Sequence, residues 1–513
     1  MSIFSRKAKP VASKPVAVRS FALAQTTRLL SGWKWDGGFS AQEIRGQLAT
    51  IRSRSREMAK NNPHMKRYLQ LFETNVVGEG FRFKSTPHDG FPGSDSWKLD
   101  TGASKFIEYH WKQFCTMRDL TTRQTYCDAT GRKTVAQMDR LNAKTWARDG
   151  EYFIIPQVAD NPYGISFRII RPDACDETYF QEGSATTNPV YCGVELDRIS
   201  GSEVAYYFNT TDPQSGYRGL RGHLVRISAS RVIHGFTQED EDQTRGIPLG
   251  HASLIKLKMM EEYDRAEITA AREEACSTRS YESSAEDPEG VVDLTDKDNA
   301  DTANALVAET EPGQKQVLPI GWTEKIHTPQ HPNRELTAFK DAMTKDVFSG
   351  FNVEYSNGAN NWQGVSFSSV RQGTISERDG WKILQADMIS QNKCRMFLMW
   401  LDSFLSLRIS GNYPKEKQAK FSEHKFLGRR WMWVDPARDM AAAKMAVDNG
   451  WRTNTEVTDD LGGDFDDNLE ETKRENDSRD KAGIDAPLRL QHTVTETMTD
   501  PEPEPAPAKK KAT

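Results

Sequence analysis

Residues 248–276 constrain this chain more than any other stretch. Leu254, Leu257, Met260 and Tyr263 recur at helical spacing in the first half, while the second half, from Glu267 to Glu274, is largely polar. A helix buried at one end and wet at the other projects from a body, as a stalk does. A second helical pattern at 333–350 repeats Leu336, Phe339, Met343 and Val347 every three or four residues. Between the two lies a strongly acidic stretch, 281–311, with ten Asp or Glu against one Lys. Short strands are expected after it, at 316–318 and 322–326.

The chain before this stalk divides in two. Ser40-Ala-Gln-Glu43 forms a capping box that opens a helix, and Asn61-Asn-Pro63 breaks and restarts it, since Pro fits a first helical position and its predecessor avoids the α region. The second helix runs to about Asn75, with Gly78 and Gly80 closing it, and Gly78-Glu-Gly80 reads as a turn. Further helices are expected at 104–115, where Phe106, Ile107, Trp111 and Phe114 make an apolar stripe, and at 135–147. From 151 to 236 the pattern changes to short β-rich runs at 152–158, 165–170, 190–196, 204–209, 224–227 and 231–235, separated by turn signals.

After the stalk, 351–367 is rich in Asn, Gly and Ser and reads as a loop, and 368–407 reads as one helix longer than the average. The aromatic cluster Trp431-Met-Trp433 precedes three short helices at 436–448, 454–461 and 464–479, the second capped by Thr453 and Glu456. The tail beyond Ala482 lacks the apolar area to fold.

Composition excludes several classes. A net charge of -5 across 513 residues makes bulk attraction to nucleic acid untenable, so any DNA contact must be local. A hydrophobic content of 37% is lean for such a length and fits a chain that spreads its surface over neighbours. The longest purely apolar stretch, Met396 to Leu401, falls far short of the ~18 residues of a membrane span, so no membrane partner is expected. Cys115, Cys127, Cys175, Cys192, Cys276 and Cys394 lie far apart and read as reduced thiols. The first 34 residues carry seven basic side chains and no acid, a pattern shared with transit peptides, although Pro10 and Pro15 favour a mobile basic arm.

Enzyme signatures are absent: there is no phosphate-binding G-x-x-x-x-G-K-[ST], no H-E-x-x-H and no G-x-S-x-G. His327 and His331 have metal-ligand spacing but sit in a Pro-interrupted loop without a third ligand, so no metal is expected. Asp149 and Glu151 flank Gly150, where paired carboxylates hold a divalent ion in a DNA-processing enzyme or simply mark a polar turn; the turn is the stronger reading. Asp459, Asp460, Asp464, Asp466 and Asp467 read as ordinary complements of helix N-termini. The basic run Arg45, Arg52, Arg54, Arg56, Lys60, Lys66 and Arg67 reads equally as a nucleic-acid face or as a solvated, subunit-contacting helix surface.

In order along the chain, a set of short motifs resembles the portal proteins of lambda-type tailed bacteriophages. They are Arg52-Ser-Arg-Ser-Arg-Glu-Met-Ala-Lys-Asn-Asn-Pro63, Asn75-Val-Val-Gly78, Ala147-Arg-Asp-Gly-Glu151, Ser230-Arg-Val-Ile-His234, Arg245-Gly-Ile-Pro248 and Glu262-Tyr-Asp-Arg-Ala-Glu267. Leu318-Pro-Ile-Gly-Trp322, His331-Pro-Asn333, Tyr355, Gly364-Val-Ser-Phe-Ser-Ser-Val-Arg371, Glu377-Arg-Asp-Gly-Trp381 and Val434-Asp-Pro436 follow, so the resemblance spans roughly 31–484. It implies an α+β portal fold of wing, stem, clip and helical crown. Residues 1–35 would be the flexible basic arm, 36–247 the wing, 248–276 and 333–350 the stem helices, and 277–332 the clip. Residues 351–367 would be the tunnel loop, 368–433 the long helix and wing completion, 434–481 the crown and 482–513 a disordered tail.

The function so implied is a homo-oligomeric ring, expected to be a dodecamer, at the capsid's portal vertex, assembled in the bacterial host cytoplasm. Double-stranded DNA would thread it during packaging and ejection. Terminase large subunit, major capsid and scaffold proteins, and head-completion or tail connector proteins would be its partners, with no cofactor and no catalytic residue. Asn352, Tyr355, Asn357, Asn360, Asn361 and Trp362 are then the expected channel lining. Glu286, Asp287, Asp293, Asp296, Asp298 and Trp322 are the expected motor-docking residues of the clip. The competing classes are a metal-dependent DNA-processing enzyme using Asp149 and Glu151, and a capsid shell protein.

Overall fold

A backbone reversal at Gly150 joins the helical and β-rich parts of the chain. In the computed structural model, which describes residues 44–90, 94, 97–209, 224–275, 279–283, 322–326, 335–411, 413–433 and 435–483, the chain forms two units, Met1–Phe426 and Leu427–Thr513.

In the first unit, helix α1 (Leu48–Asn61) stops at Asn62, which is extended because Pro63 follows. The Asn62 side chain then caps α2 (Pro63–Phe72), accepting from the backbone N–H of His64 and Met65 at 3.0 and 3.3 Å. Helix α2 continues as one π-helical turn, Glu73–Val77, before Gly78 ends it at positive φ. The capping box at Ser40 lies outside the described residues. Strands β1 (Arg82–Ser85), β2 (His88–Asp89) and β3 (Lys98–Leu99) precede α3 (Thr101–Thr116), which starts earlier than its apolar stripe because Asp100 caps it through the N–H of Ala103. A Thr134–Gln137 capping box opens α4 (Val135–Asp149).

Gly150 terminates α4 at φ +92°, and a Cβ there would lie 2.3 Å from the carbonyl carbon of Ile247. Only glycine admits both the left-handed turn and that approach of backbone to backbone. Strand β4 (Glu151–Val158) follows at once and is the centre of an antiparallel sheet ordered β10-β4-β5, with β5 (Ile165–Ile170) and β10 (Ile233–Phe236) at its edges. A second antiparallel sheet runs β6 (Val190–Tyr191), β7 (Val194–Leu196), β8 (Glu203–Asn209), β9 (Leu224–Ser228). The single strand expected at 190–196 is instead a hairpin. Cys192 and Gly193 both take positive φ, as a two-residue mirror-image turn requires, and Cys-Gly is not a dipeptide that advertises one. Phe153, Cys175, Val194, Tyr206, Phe208 and Val232 bury a core between these strands.

The stalk is an antiparallel helix pair, α5 (His251–Ala275) and α6 (Leu336–Gly350). Ser253 Oγ donates to Val347 O at 2.9 Å, Lys340 pairs with Asp264 at 2.8 Å, Lys256 pairs with Asp346, and the rings of Tyr263 and Phe339 lie 5.4 Å apart. Beyond α5, β11 (Arg279–Ser283) pairs antiparallel with β12 (Trp322–Ile326), so the expected strand at 322–326 finds its partner where the acidic stretch begins. The strand expected at 316–318 lies outside the described residues.

The loop expected at 351–367 contains a short helix, α7 (Tyr355–Ala359). Glu354 caps it by accepting from the N–H of Asn357, and Asn360 ends it at φ +55°, a left-handed conformation that asparagine tolerates. The long helix expected next is α8 (Phe367–Met388), a π turn Ile389–Lys393, and α9 (Cys394–Leu405) in one continuous run. Trp400 stacks on Phe404 at 4.7 Å and meets Trp111 edge-on at 5.1 Å, closing an aromatic core with α3. Helix α10 (Gln418–Phe421) and β13 (His424–Leu427), paired with β1, complete this unit.

The second unit holds α11 (Pro436–Asp448), α12 (Asn454–Asp460) and α13 (Phe465–Ala482), capped by Asp435, Thr453 with Glu456, and Asp464. No residue of these helices is buried. No described helix is long and apolar enough to cross a membrane, and no disulfide joins the described cysteines.

The geometry at Gly150 makes a prediction. Gly150→Ala forces a side chain into left-handed backbone and against Ile247, and should lower stability by about 2 kcal/mol or more. Unchanged thermal unfolding of the variant would refute this account of the joint.

Candidate functional site

Glu151, the first residue of β4, is fully buried and collects charge from three directions. Arg52 of α1 donates to it at 2.7 Å, Arg245 donates at 2.6 to 3.0 Å, His234 of β10 lies at 3.1 Å, and the N–H of Gly246 donates at 2.9 Å. Arg245 also donates to the carbonyls of Pro172, Cys175 and Cys192 at 3.1, 3.3 and 2.6 Å. Arg52 reaches the carbonyl of Asp149 at 2.9 Å. One carboxylate thereby ties α1, both sheets and the segment leading into the stalk.

Electrostatics follow from this enclosure. Burial by itself would raise the Glu151 carboxyl, but Arg245, Arg52 and His234 hold it well below the ordinary carboxylate range. Burial alone would lower the His234 imidazolium; hydrogen bonding to Glu151 and Glu203 outweighs it and raises the value. Tyr206 completes the chain, its hydroxyl 3.2 Å from His234 Nδ1 and donating to Glu203.

Asp149 faces the other way. Arg56 grips it at 2.9 and 3.0 Å and Arg148 at 2.8 Å twice, while Arg56 also donates to Asp173. Burial opposes ionisation of Asp149, and the two guanidinium groups overcome it and lower its value. The turn read between Asp149 and Glu151 is present at Gly150, and its two flanking carboxylates are buried and saturated by arginine rather than open to an ion. Among the described residues no three His, Cys, Asp or Glu side chains cluster to hold a metal. His327 and His331 lie outside them.

The basic run is corrected in part. Arg52 and Arg56 point inward to these carboxylates, and Arg67 donates to the carbonyl of Asn357, while Arg54, Lys60 and Lys66 remain exposed. An amphipathic helix with arginine on its inner face escapes a reading that treats charge as surface.

The expected channel residues sit on and around α7. Tyr355 donates to Asp341 of α6 at 3.0 Å, Asn357 donates to Glu377 of α8 at 2.6 Å, and Asn361 donates to the Tyr355 hydroxyl at 3.2 Å. These three are wired to the frame, leaving Asn352, Asn360 and Trp362 exposed, the last at 46%. Trp322 begins β12, opposite Ser283. Glu286, Asp287, Asp293, Asp296 and Asp298 lie outside the described residues.

The amino-acid sequence matches a family model. Residues 26–385 match the model described as phage portal protein, lambda family. The chain belongs to that family. It is 30% identical over 472 residues to the probable portal protein of Halomonas phage phiHAP-1, covering 90% of this chain and 87% of the relative. It is 21% identical over 475 residues to portal protein B of Escherichia phage lambda, covering 85% of each. A chain in the neck of an empty gene transfer agent particle is similar at 11% identity and a TM-score of 0.47, over 82% of this chain and 94% of that one. As a member of a structural family, this portal chain is part of the head–tail connector of a phage.

The buried cluster predicts two outcomes. Glu151→Gln takes from Arg245 its hydrogen-bonded carboxylate and leaves Arg52 only Glu177 at 3.7 Å, and should cost about 3–5 kcal/mol of stability, read as an earlier urea midpoint. His234 adds stability that is full below its unfolded value of about 6.5 and disappears as pH rises through the higher folded value. The stability gap between the wild type and His234→Gln should therefore narrow as pH climbs from about 6 to about 9. A gap that widens would show that His234 is neutral in the fold.

Proposed function

We propose that copies of this chain close into a ring, dodecameric as in related portals, at the portal vertex of the virion, and that double-stranded DNA passes along its axis during packaging and ejection. The observation that carries this reading is the stalk: α5 and α6 project together and leave Ile255, Met259 and Ile268 exposed by 67, 59 and 60%. Exposed apolar groups repeated along a helix want a cover, and identical neighbours around a closed ring supply one for every copy.

Residues 351–367 sit where α6 turns back into α8, and their wiring through Tyr355 and Asn357 would hold Trp362 and Asn360 toward the axis without gripping the duplex. A conduit has to avoid holding its cargo, because each neutralised phosphate adds affinity and a ring multiplies each contact by its copy number. Net negative charge serves that end. The clip, 277–332, is the part proposed to meet the terminase large subunit and later the head-completion or tail connector proteins, while capsid and scaffold proteins meet the wing. Phosphate-bond hydrolysis belongs to the motor in this scheme, and the chain itself is not an enzyme.

Negative-stain imaging of the purified chain should show annuli with a central hole. Closed shells would support a capsid protein instead, and magnesium-dependent cleavage of DNA lost in Asp149→Ala would support a nuclease. Trp362→Ala should leave annuli intact and lower the amount of genome retained in assembled heads. Retention equal to wild type would remove Trp362 from the channel.

A further inference from the structure

A cleft of 830 Å³ opens between the end of α1, α2, the end of α4 and the end of β5. Six basic side chains line it against three acidic ones. The acids are already paired, Asp149 and Asp173 with Arg56 and Glu73 with Lys144 at 2.6 Å. Lys60, Lys66 and Arg171 are exposed and have no acidic partner among the described residues. The surplus positive charge therefore faces outward.

The same unit carries its complement. Glu239, Asp240, Glu241 and Asp242 are consecutive and exposed, and none is ion-paired among the described residues. This turn has a built shape. Gln243, buried beneath it, accepts from the N–H of Glu239 at 2.7 Å and of Asp240 at 3.3 Å, and donates to the carbonyl of Arg245 at 2.8 Å. Gln238 closes it by donating to the carbonyl of Glu241 at 2.7 Å. Four exposed carboxylates held side by side repel one another, and cations brought against them by a partner relieve that repulsion.

Topology separates the two surfaces within one subunit. The acidic turn follows the end of β10 and the cleft borders the end of β5, both beside the start of β4, which lies between them in the β10-β4-β5 sheet. A head-to-tail contact joins two unlike, complementary surfaces, and such contacts close into a ring when their rotation divides the circle.

We infer that the acidic turn 239–242 of one copy docks into the basic cleft lined by Lys60, Lys66 and Arg171 of the next copy. This rests on the ring reading above. A second copy is favoured over a nucleic acid because the complementary surface, an exposed acidic turn of fixed shape, is carried by this same chain.

The test uses two full-length variants. The cleft variant carries Lys60→Glu, Lys66→Glu and Arg171→Glu; the turn variant carries Glu239→Lys, Asp240→Lys, Glu241→Lys and Asp242→Lys. Native mass spectrometry and negative-stain imaging read ring formation, and circular dichroism confirms folding. Each variant alone should need about tenfold or more protein than the wild type to form rings. Mixed in equal amounts, the two should recover rings in which they alternate in equal numbers, because every contact then joins opposite charges. If a reversal variant does not fold, Gln and Asn replacements at 239–242 keep the test, with a smaller rise in the ring-forming concentration and a shallower salt dependence.

Variants that form rings at the wild-type concentration, beside a wild type that also does, would overturn the contact and leave the ring standing. Rings from the cleft variant combined with loss of DNA binding would assign the cleft to nucleic acid and overturn the contact as well. A wild type that stays monomeric would remove the ring reading itself, and this contact with it.

Discussion

A carboxylate buried without water must be neutralised by what surrounds it, and the placement of Glu151 sets much of the first unit. Its partners come from residues 52, 234, 245 and 246, which the chain brings together from α1, β10 and the approach to the stalk. Arg245 spends its remaining donors on three carbonyls of the loop and hairpin at 172–193. Removing any one member leaves the others as buried charges, so the cluster holds cooperatively or not at all. The two sheets and the first helix are registered against one another by this arrangement. The stalk inherits that register, because α5 begins only a few residues after Arg245.

A comparable device acts within the long helix run, 367–405. The π turn between α8 and α9 adds a residue per turn and so aims consecutive polar side chains at one wall. Gln391 exchanges hydrogen bonds with the backbone of Phe236, and Asn392 and Lys393 reach the buried Asp139 at 3.3 and 2.9 Å. At its start the same helix run holds Glu377, which takes Asn357 of the segment expected to line the channel. The helix run thus links that segment to the β10-β4-β5 sheet.

Local chemistry was legible where it is local. Asn62-Pro63 and Thr453 with Glu456 start helices by satisfying amides within three residues, and the structure places caps at both. The period of Leu254, Leu257 and Met260 likewise buried the first half of the stalk helix, with all three side chains covered. Colinear motifs were enough to point to the portal family, since a family is a pattern of order as much as of contact.

What the sequence determined by itself was therefore the succession of elements, the stalk with its wet end, and the family to which the chain belongs. Tertiary structure alone decided that Arg52 and Arg56 turn inward, that Asp149 and Glu151 are saturated by guanidinium groups, and that 192–193 is a turn and 355–359 a helix. The reason is physical. Caps and apolar periods act over a few residues and are written in spacing, whereas the cost of burying a charge is met only by partners about a hundred residues away, which no local window contains.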